Sequence, residues 1–298
     1  MSPQNEPRLT KAQRTAQARE KARIIREAQL KKDKRNSWLL RGGVLAAAVA
    51  IVVIIALVII QNNANNAPVA ASGPVPANTN AYGGITFGKN GVLVKPVTTE
   101  ASVDIKNAPA QPTAQATAAT GLDAIGVKAS ASGQPVQTVI YLDFLCPHCN
   151  EFEKTYGAQL KTWQDEGKIT VEYRPLNFLN RFSSGTNYSA RAAAAAACVA
   201  NTSPDKYKAF VDALFADQPA ENSKGLDNAT LKKMATDAGS ADIGSCVDAK
   251  TYRPYVEYTS ALATGHGING TPTVFMDGKQ YSTGTFTDFA NAILTAKK

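Results

Sequence analysis

Histidine and cysteine are scarce in this 298-residue chain, which has two histidines, His148 and His266, and four cysteines, Cys146, Cys149, Cys198 and Cys246. Four cysteines are too few for a small disulfide-dense scaffold. Two histidines without a second C-x-x-C leave no four-ligand zinc set, so neither a metal nor an organic cofactor is expected. A charge excess is also missing from most of the chain. The net charge is +8, but residues 1–41 hold twelve of the 32 Lys/Arg and four of the 24 Asp/Glu, and the remainder carries twenty of each sign. That balance gives no support to a nucleic-acid partner. No internal repeat is present, and 44 % apolar residues are ample for a packed core.

Charge is wholly absent from Gly42 to Ile60 (GGVLAAAVAIVVIIALVII). As a helix this run reaches about 28 Å, close to the ~30 Å of a bilayer's hydrocarbon. A cleaved signal peptide has a shorter apolar region and a shorter basic region before it, so the sequence predicts one uncleaved transmembrane helix. The twelve bases before the run place the N-terminus in the cytoplasm and everything after residue 60 outside, with Trp38 suited to the interface. The segment from Thr10 to Lys34, rich in Ala, Arg, Lys, Gln and Glu, predicts a helix and serves as a topology signal, or as a contact for anionic lipid.

Composition divides the rest. Residues 61–80 are uncharged and rich in Asn, Ala and Pro, which predicts a flexible spacer. Within 81–134, ITFGKNGVLV at 85–94 predicts a hairpin, and 107–135 is a low-complexity connector. A compact domain is expected over 135–298. It starts with a strand at Val136–Leu145, followed by a helix from Cys149 to about Glu166 with Phe152, Tyr156, Leu160 and Trp163 on one stripe, and a parallel strand at Ile169–Arg174. Helices fill roughly 184–265: Ser189–Ala200, one starting at Ser203-Pro204, Asn228–Ala238, and Ile243–Thr264. Strand character resumes at Thr273–Met276, Asp277-Gly278 turns into Lys279–Ser282, and a helix at Thr287–Ala296 ends an α/β fold.

The chemistry sits in Cys146-Pro147-His148-Cys149, where the first strand gives way to the first helix. Unpaired N–H groups and partial positive charge at a helix N-terminus stabilise a thiolate, and His148 can add a positive or hydrogen-bonding neighbour. Both lower the pKa of Cys146 and make the disulfide an oxidant. A structural disulfide across four residues would stabilise little, and haem attachment needs His where Asn150 stands. Asp143, three residues before Cys146, is either a proton relay or an ordinary strand-end carboxylate. Glu153 reads as a helix-face charge and His266 as a loop residue. Outside the cytoplasm, Cys198 and Cys246 are expected to form a structural disulfide closing about 50 residues, with a second redox pair as the alternative.

The run Asp143-Phe144-Leu145-Cys146-Pro147-His148-Cys149-x-x-Phe152-Glu153, with Gly270-Thr271-Pro272-Thr273 further on and a helical insertion between them, resembles the DsbA-type thiol:disulfide oxidoreductases of the thioredoxin superfamily, in the membrane-anchored form of Gram-positive bacteria. The resemblance covers about 135–298, and loosely 81–134, and implies a thioredoxin-like fold with a helical insertion. It implies that Cys146 is an exposed nucleophile, Cys149 its resolving partner, and Pro147 and His148 tuning residues. Thr271-Pro272 would be a cis peptide whose backbone pairs with an extended substrate. It further implies reduced, unfolded secreted proteins as substrates and a quinone-linked membrane reoxidase, DsbB- or VKOR-like, as partner. Thr271 stands where some oxidases carry Val and resembles isomerase-type relatives there. Isomerase or reductase activity therefore stays open beside oxidase activity, although no dimerisation domain is evident and a monomer is expected. A reading of another class is an anchored metal-handling or binding module.

Overall fold

The computed structural model describes residues 11–66, 68–96, 100–110 and 119–297. The chain divides into two compact units, Met1–Ala64 and Asn65–Lys298. Residues 11–64 of the first belong to one long helix, α1 (Lys11–Asn66). Its early turns carry strong helix formers and exposed Arg23 pairs with Glu20 (2.8 Å) and Glu27 (4.0 Å). Among the described residues no helix is long and apolar enough to cross a membrane. Several side chains of the 42–60 run, and that of Trp38, lie outside the described residues, as does Thr10.

The second unit is built on a six-stranded sheet. Its strands, with a separate short pair, are β1 (Ser72–Pro74), β2 (Ile85–Phe87), β3 (Leu93–Val94), β4 (Ser102–Asp104), β5 (Val136–Leu142), β6 (Ile169–Pro175), β7 (Thr273–Met276) and β8 (Lys279–Gln280). The main sheet runs β3-β2-β6-β5-β7-β8, while β1 pairs with β4 in a separate two-stranded sheet. Helix α2 (Pro147–Asp165) connects β5 to β6, which lie parallel with Val139 opposite Glu172 and Ile140 opposite Tyr173. Strand β7 returns antiparallel to β5. Residues Asp277 and Gly278, both at positive φ, turn it into β8, as an Asp-Gly hairpin requires.

Both faces of β5 are covered, which explains its unbroken apolar run. Ile140 and Leu142 face one core with Phe152, Leu160 and Trp163 of α2. Phe152 and Tyr156 meet Phe286 of the last helix at 5.2 and 5.4 Å between ring centroids. Val139 and Tyr141 face a second core with Ile125, Val127, Leu262 and Phe275.

The helical insertion comprises α3 (Tyr188–Thr202), α4 (Tyr207–Ala216), α5 (Asn228–Asp237), α6 (Gly244–Asp248) and α7 (Arg253–Gly265), and α8 (Phe286–Ala296) closes the chain. Helix α3 is buried on all sides, and its alanines let its neighbours approach closely. The single helix expected over Ile243–Thr264 is two. The chain breaks where Lys250 adopts φ 55° and restarts with Pro254 in the first turn of α7, the helical position that tolerates a missing N–H.

Two loose segments of the sequence reading are corrected. The spacer expected over 61–80 is helical up to Asn66, and 72–79 are packed onto the domain. Ser72 pairs with Asp104, Val75 is buried, and Asn78 Nδ2 donates to Ala200 O at 2.9 Å. Gly73 fits because any Cβ there would lie 2.8 Å from Pro254 Cγ. The low-complexity connector over 107–135 likewise holds a packed stretch. Residues Leu122–Ile125 form a 3-10 turn with Ile125 buried, and Thr120 N donates to His266 O at 2.9 Å. Positions 111–118 of that connector lie outside the described residues. The hairpin expected at 85–94 forms, and β2 pairs with β6 in the main sheet.

Candidate active site

Strand β5 stops at Leu142 because Asp143 turns the chain. One carboxylate oxygen of Asp143 accepts from Leu145 N (2.9 Å) and the other from Leu179 N (2.9 Å), which ties the active-site loop to the segment after β6. Asp143 is fully buried, and that burial pushes its carboxyl up to about 6. Cys146 is the N-cap of α2, with extended φ/ψ, and Pro147 opens the helix without a missing donor. The Cys146 carbonyl accepts from Cys149 N at 3.1 Å and Asn150 N at 3.3 Å, and its thiol donates to Thr271 O at 3.1 Å. The Thr271–Pro272 peptide is cis. Cys149 Sγ lies a turn deeper and accepts from Asp143 N at 3.5 Å. The structure thus brings together Asp143, Cys146, Cys149 and Thr271-Pro272.

The two thiols, both free, are driven apart in acidity. The Cys149 thiol, hydrogen-bonded to Cys146, is the largest cause that brings Cys146 down to about 6; the Thr271 side chain and the backbone of Cys149 and His148 add to it, against the opposing effect of burial. Burial, and then the neighbouring Cys146, push Cys149 well above the ordinary thiol range. Two details depart from expectation. Cys146 is only 5 % exposed where an exposed nucleophile was expected, because Thr271 packs beside it and Gln218 closes over its backbone. The His148 side chain is 80 % exposed, 3.6 Å from Glu151, so position 148 acts on Cys146 through its backbone.

Gln218, just past the end of α4, was missed by the sequence reading. Its amide donates to Phe144 O (3.1 Å) and Cys146 O (2.9 Å), while Asn150 Nδ2 bridges Gln218 Oε1 (3.1 Å) and Phe215 O (2.9 Å). Nothing in a lone Gln after a helix signals this contact, which only the packing of the insertion creates. Replacing Gln218 with Ala takes one donor from each of two carbonyls and slackens the loop that aims N–H groups at Cys146, so the Cys146 pKa is expected to rise by less than about one unit, with a stability loss of ~1–2 kcal/mol. Gln218→Glu sets a carboxylate against two carbonyl oxygens and is expected to be worse than Ala. Thiolate absorbance followed against pH reads the first effect; an unmoved midpoint would show that Gln218 has no influence on the thiol.

Glu153 is corrected too. It is not a surface charge: its side chain is 8 % exposed, 3.6 Å from Lys208 on α4, and burial raises its pKa. Lys208 of α4 reaches across to α2, which the stripe pattern of α2 alone does not show. His266 contacts Thr120 O through Nδ1 at 3.0 Å and so fixes the segment that covers the second core. Among the described residues no group of three or more His, Cys, Asp or Glu could hold a metal ion.

Cys198 of α3 and Cys246 of α6 are disulfide-bonded with Cα atoms 6.1 Å apart and a sequence separation of 48. A loop of that size gives about 4 kcal/mol by loop-closure entropy, and measured losses run lower. Replacing both with Ala is expected to remove about 2–4 kcal/mol and lower Tm by roughly 5–15 °C while thiol exchange at Cys146 persists. Loss of exchange in a double variant that stays folded would move this pair into the chemistry.

A buried, high-pKa thiol beneath a low-pKa thiol at a helix N-terminus, facing a cis-proline loop beside a central strand, defines a thioredoxin-type dithiol/disulfide site. The chain belongs to the thioredoxin family, whose profile matches residues 129–294. It is 33 % identical over 159 residues to the serine/threonine-protein kinase PknE of Mycobacterium tuberculosis, an alignment covering 50 % of this chain and 28 % of the kinase. The chain therefore spans little more than a quarter of that relative's length. It is 27 % identical over 171 residues to disulfide bond formation protein D of Bacillus subtilis, covering 53 % and 74 % of the two chains. Among solved structures, oxidised DsbA from M. tuberculosis is similar at 33 % identity and a TM-score of 0.50, over 57 % of this chain and 88 % of that one.

Proposed function

We propose that the chain is an extracytoplasmic thiol:disulfide oxidoreductase that works as an oxidase. The observation that carries this reading is the split in acidity, with Cys146 at about 6 and Cys149 far above it. In the oxidised enzyme a substrate thiolate attacks Cys146 Sγ. The Cys146–Cys149 bond breaks, and Cys149 leaves and takes up a proton. A second substrate thiolate then attacks the substrate sulfur of the mixed disulfide and expels Cys146 as a thiolate. The substrate loses two electrons and two protons and gains a disulfide; the enzyme takes both electrons, one proton rests on Cys149, and the other goes to solvent while Cys146 stays a thiolate above pH about 6. A leaving thiol of low pKa speeds the last step, and its stability as thiolate favours the reduced enzyme.

For a thiol lowered from 9.0 to about 6 the sign is fixed. The extra stability of the reduced form is complete above pH 9 and is lost as pH falls through 6. At pH 7 it amounts to about 1.4 kcal/mol, or ~30 mV of added oxidising power. A thioredoxin-like potential, about −270 mV in a glutathione titration, would instead assign a reductase. Thr271→Val removes one hydroxyl that stabilises the thiolate, so the midpoint of Cys146 alkylation against pH is expected to move up from about 6. An unchanged midpoint would remove Thr271 from the tuning set.

In this reading Thr271-Pro272 offers its backbone to an extended substrate segment, the substrates are reduced secreted proteins, and a quinone-linked membrane protein restores the disulfide. The uncharged run Gly42–Ile60 after twelve bases supports anchoring by one span with the catalytic domain outside.

A further inference from the structure

A second concentration of charge lies inside the helical insertion. Arg191 of α3 and Lys250 and Arg253 at the α6–α7 corner line a small cavity with Asn228 and Cys246, and among the described residues no carboxylate lines it. Both arginines are buried, at 6 % and 4 % exposure. The donors of Arg191 go to neutral oxygens: Thr186 O (2.9 Å), Leu226 O (2.7 Å), Asn228 Oδ1 (3.0 Å) and Lys224 O (3.5 Å). Arg253 has one carboxylate within reach, Glu257 at 3.9 Å, and its Nε is buried with no hydrogen-bond partner. The nearby Asp227 caps α5 through Thr230 N at 2.7 Å and acts on Arg191 through its charge, while the hydrogen bonds of Arg191 go elsewhere. Helix α7 begins at Arg253 without a side-chain cap, so the partial positive charge of its N-terminus falls at the same corner. Burial, with Arg253 adding to it, holds Arg191 down to about 10 and Lys250 below its usual range.

Buried guanidinium groups call for a counter-charge, because an uncompensated charge in a low-dielectric interior costs several kcal/mol. The size of the cavity decides what can supply it. The volume is about 20 Å³, and a single water needs roughly 10–15 Å³ on the same measure. One water-sized body fits, and a tetrahedral oxyanion does not. We propose that this cavity is a binding site for one monatomic anion of chloride size, held by Arg253 and Arg191 with Lys250 at its edge. The anion joins α3 to the α6–α7 corner beside the Cys198–Cys246 bond and fastens the insertion at the point the disulfide also holds. The site stands apart from the redox reading and survives or fails without it.

The test uses the full-length chain in detergent, with sodium chloride, bromide, sulfate or gluconate as probe salts at matched ionic strength. Chloride and bromide are expected to raise Tm saturably, by about 2–6 °C beyond gluconate, and sulfate to add nothing. The chloride NMR line is expected to broaden with the wild-type protein and to narrow on addition of bromide. Lys250→Met changes a partly exposed residue and is expected to weaken both effects severalfold. Arg253→Met is expected to abolish them, and Arg253→Lys to retain part. Should the Arg253 variants fail to fold, the Lys250 variant and the line width still decide. Equal stabilisation by all four salts with no broadening means water alone fills the cavity and overturns the proposal. Sulfate matching chloride overturns the monatomic assignment, and an undiminished chloride response in Lys250→Met overturns the placement of the site.

Discussion

Cys146→Ser is expected to reduce oxidation of a reduced, unfolded dithiol substrate by at least about 10³-fold, and Cys149→Ala to leave a protein that still reacts but stalls. The reasons differ. Cys146 is the thiol whose anion the site stabilises, and it lies at the mouth of the helix while Cys149 lies beneath. Without Cys146 no nucleophile or leaving group of low pKa remains. Without Cys149 the mixed disulfide has no internal resolving thiol, so a Cys146-linked adduct is expected to accumulate on incubation with a disulfide-bonded peptide. Mass spectrometry of the adduct separates the two. Cys149→Ala also deletes the largest contributor to the depressed pKa, so its Cys146 should titrate above 6 yet stay below 9, since Thr271 and the backbone of His148 remain. A Cys146→Ser enzyme that kept its activity would sink the assignment of the nucleophile. An unshifted midpoint in Cys149→Ala would show that Thr271 and the backbone hold the thiolate without Cys149.

What the sequence made legible is local. The C-x-x-C, the strand before it, the helix stripe of Phe152, Leu160 and Trp163, the Asp-Gly hairpin and the buried alanine helix each write their geometry into a short window. Long-range packing left no such trace. Asn, Ala, Pro and Ser over 61–80 and 107–135 read as loose chain, yet buried Val75, with β1 paired on β4, fastens the first segment, and Ile125 and Val127 fasten the second. Glu153 looks solvated until α4 covers it. Gln218 gains its place at the cysteines only because the end of α4 packs there, with Phe215 5.4 Å from Phe144. The break between α6 and α7 was visible in Pro254, but the apolar spacing on either side masked it.

Arg174→Met is expected to cost about 3–5 kcal/mol of stability and lower Tm by roughly 6–20 °C while leaving the Cys146 pKa near 6. Arg174 is fully buried on β6. Its Nε donates to Glu172 at 2.7 Å, and Nη1 donates to Ile125 O at 2.7 Å and Tyr141 OH at 2.6 Å. The guanidinium also lies over the rings of Tyr82 and Tyr141, at 5.5 and 5.2 Å. One side chain thus holds the N-terminal segment, the sheet and the 119–127 cover together. Among the described residues Glu172 also accepts from Asn80 Nδ2 at 2.8 Å, and Gly84 packs so close that a Cβ there would overlap the Glu172 carboxylate. Removing the arginine therefore strands a buried anion that has no room to move. Replacing both members, Glu172→Gln with Arg174→Met, removes the stranded charge and is expected to recover part of the loss, because the penalty of an orphaned charge exceeds the net worth of the pair. Urea unfolding of wild type, single and double variants closes that cycle. A double variant no more stable than Arg174→Met would mean that the lost anchor to Ile125, rather than the stranded Glu172, sets the cost.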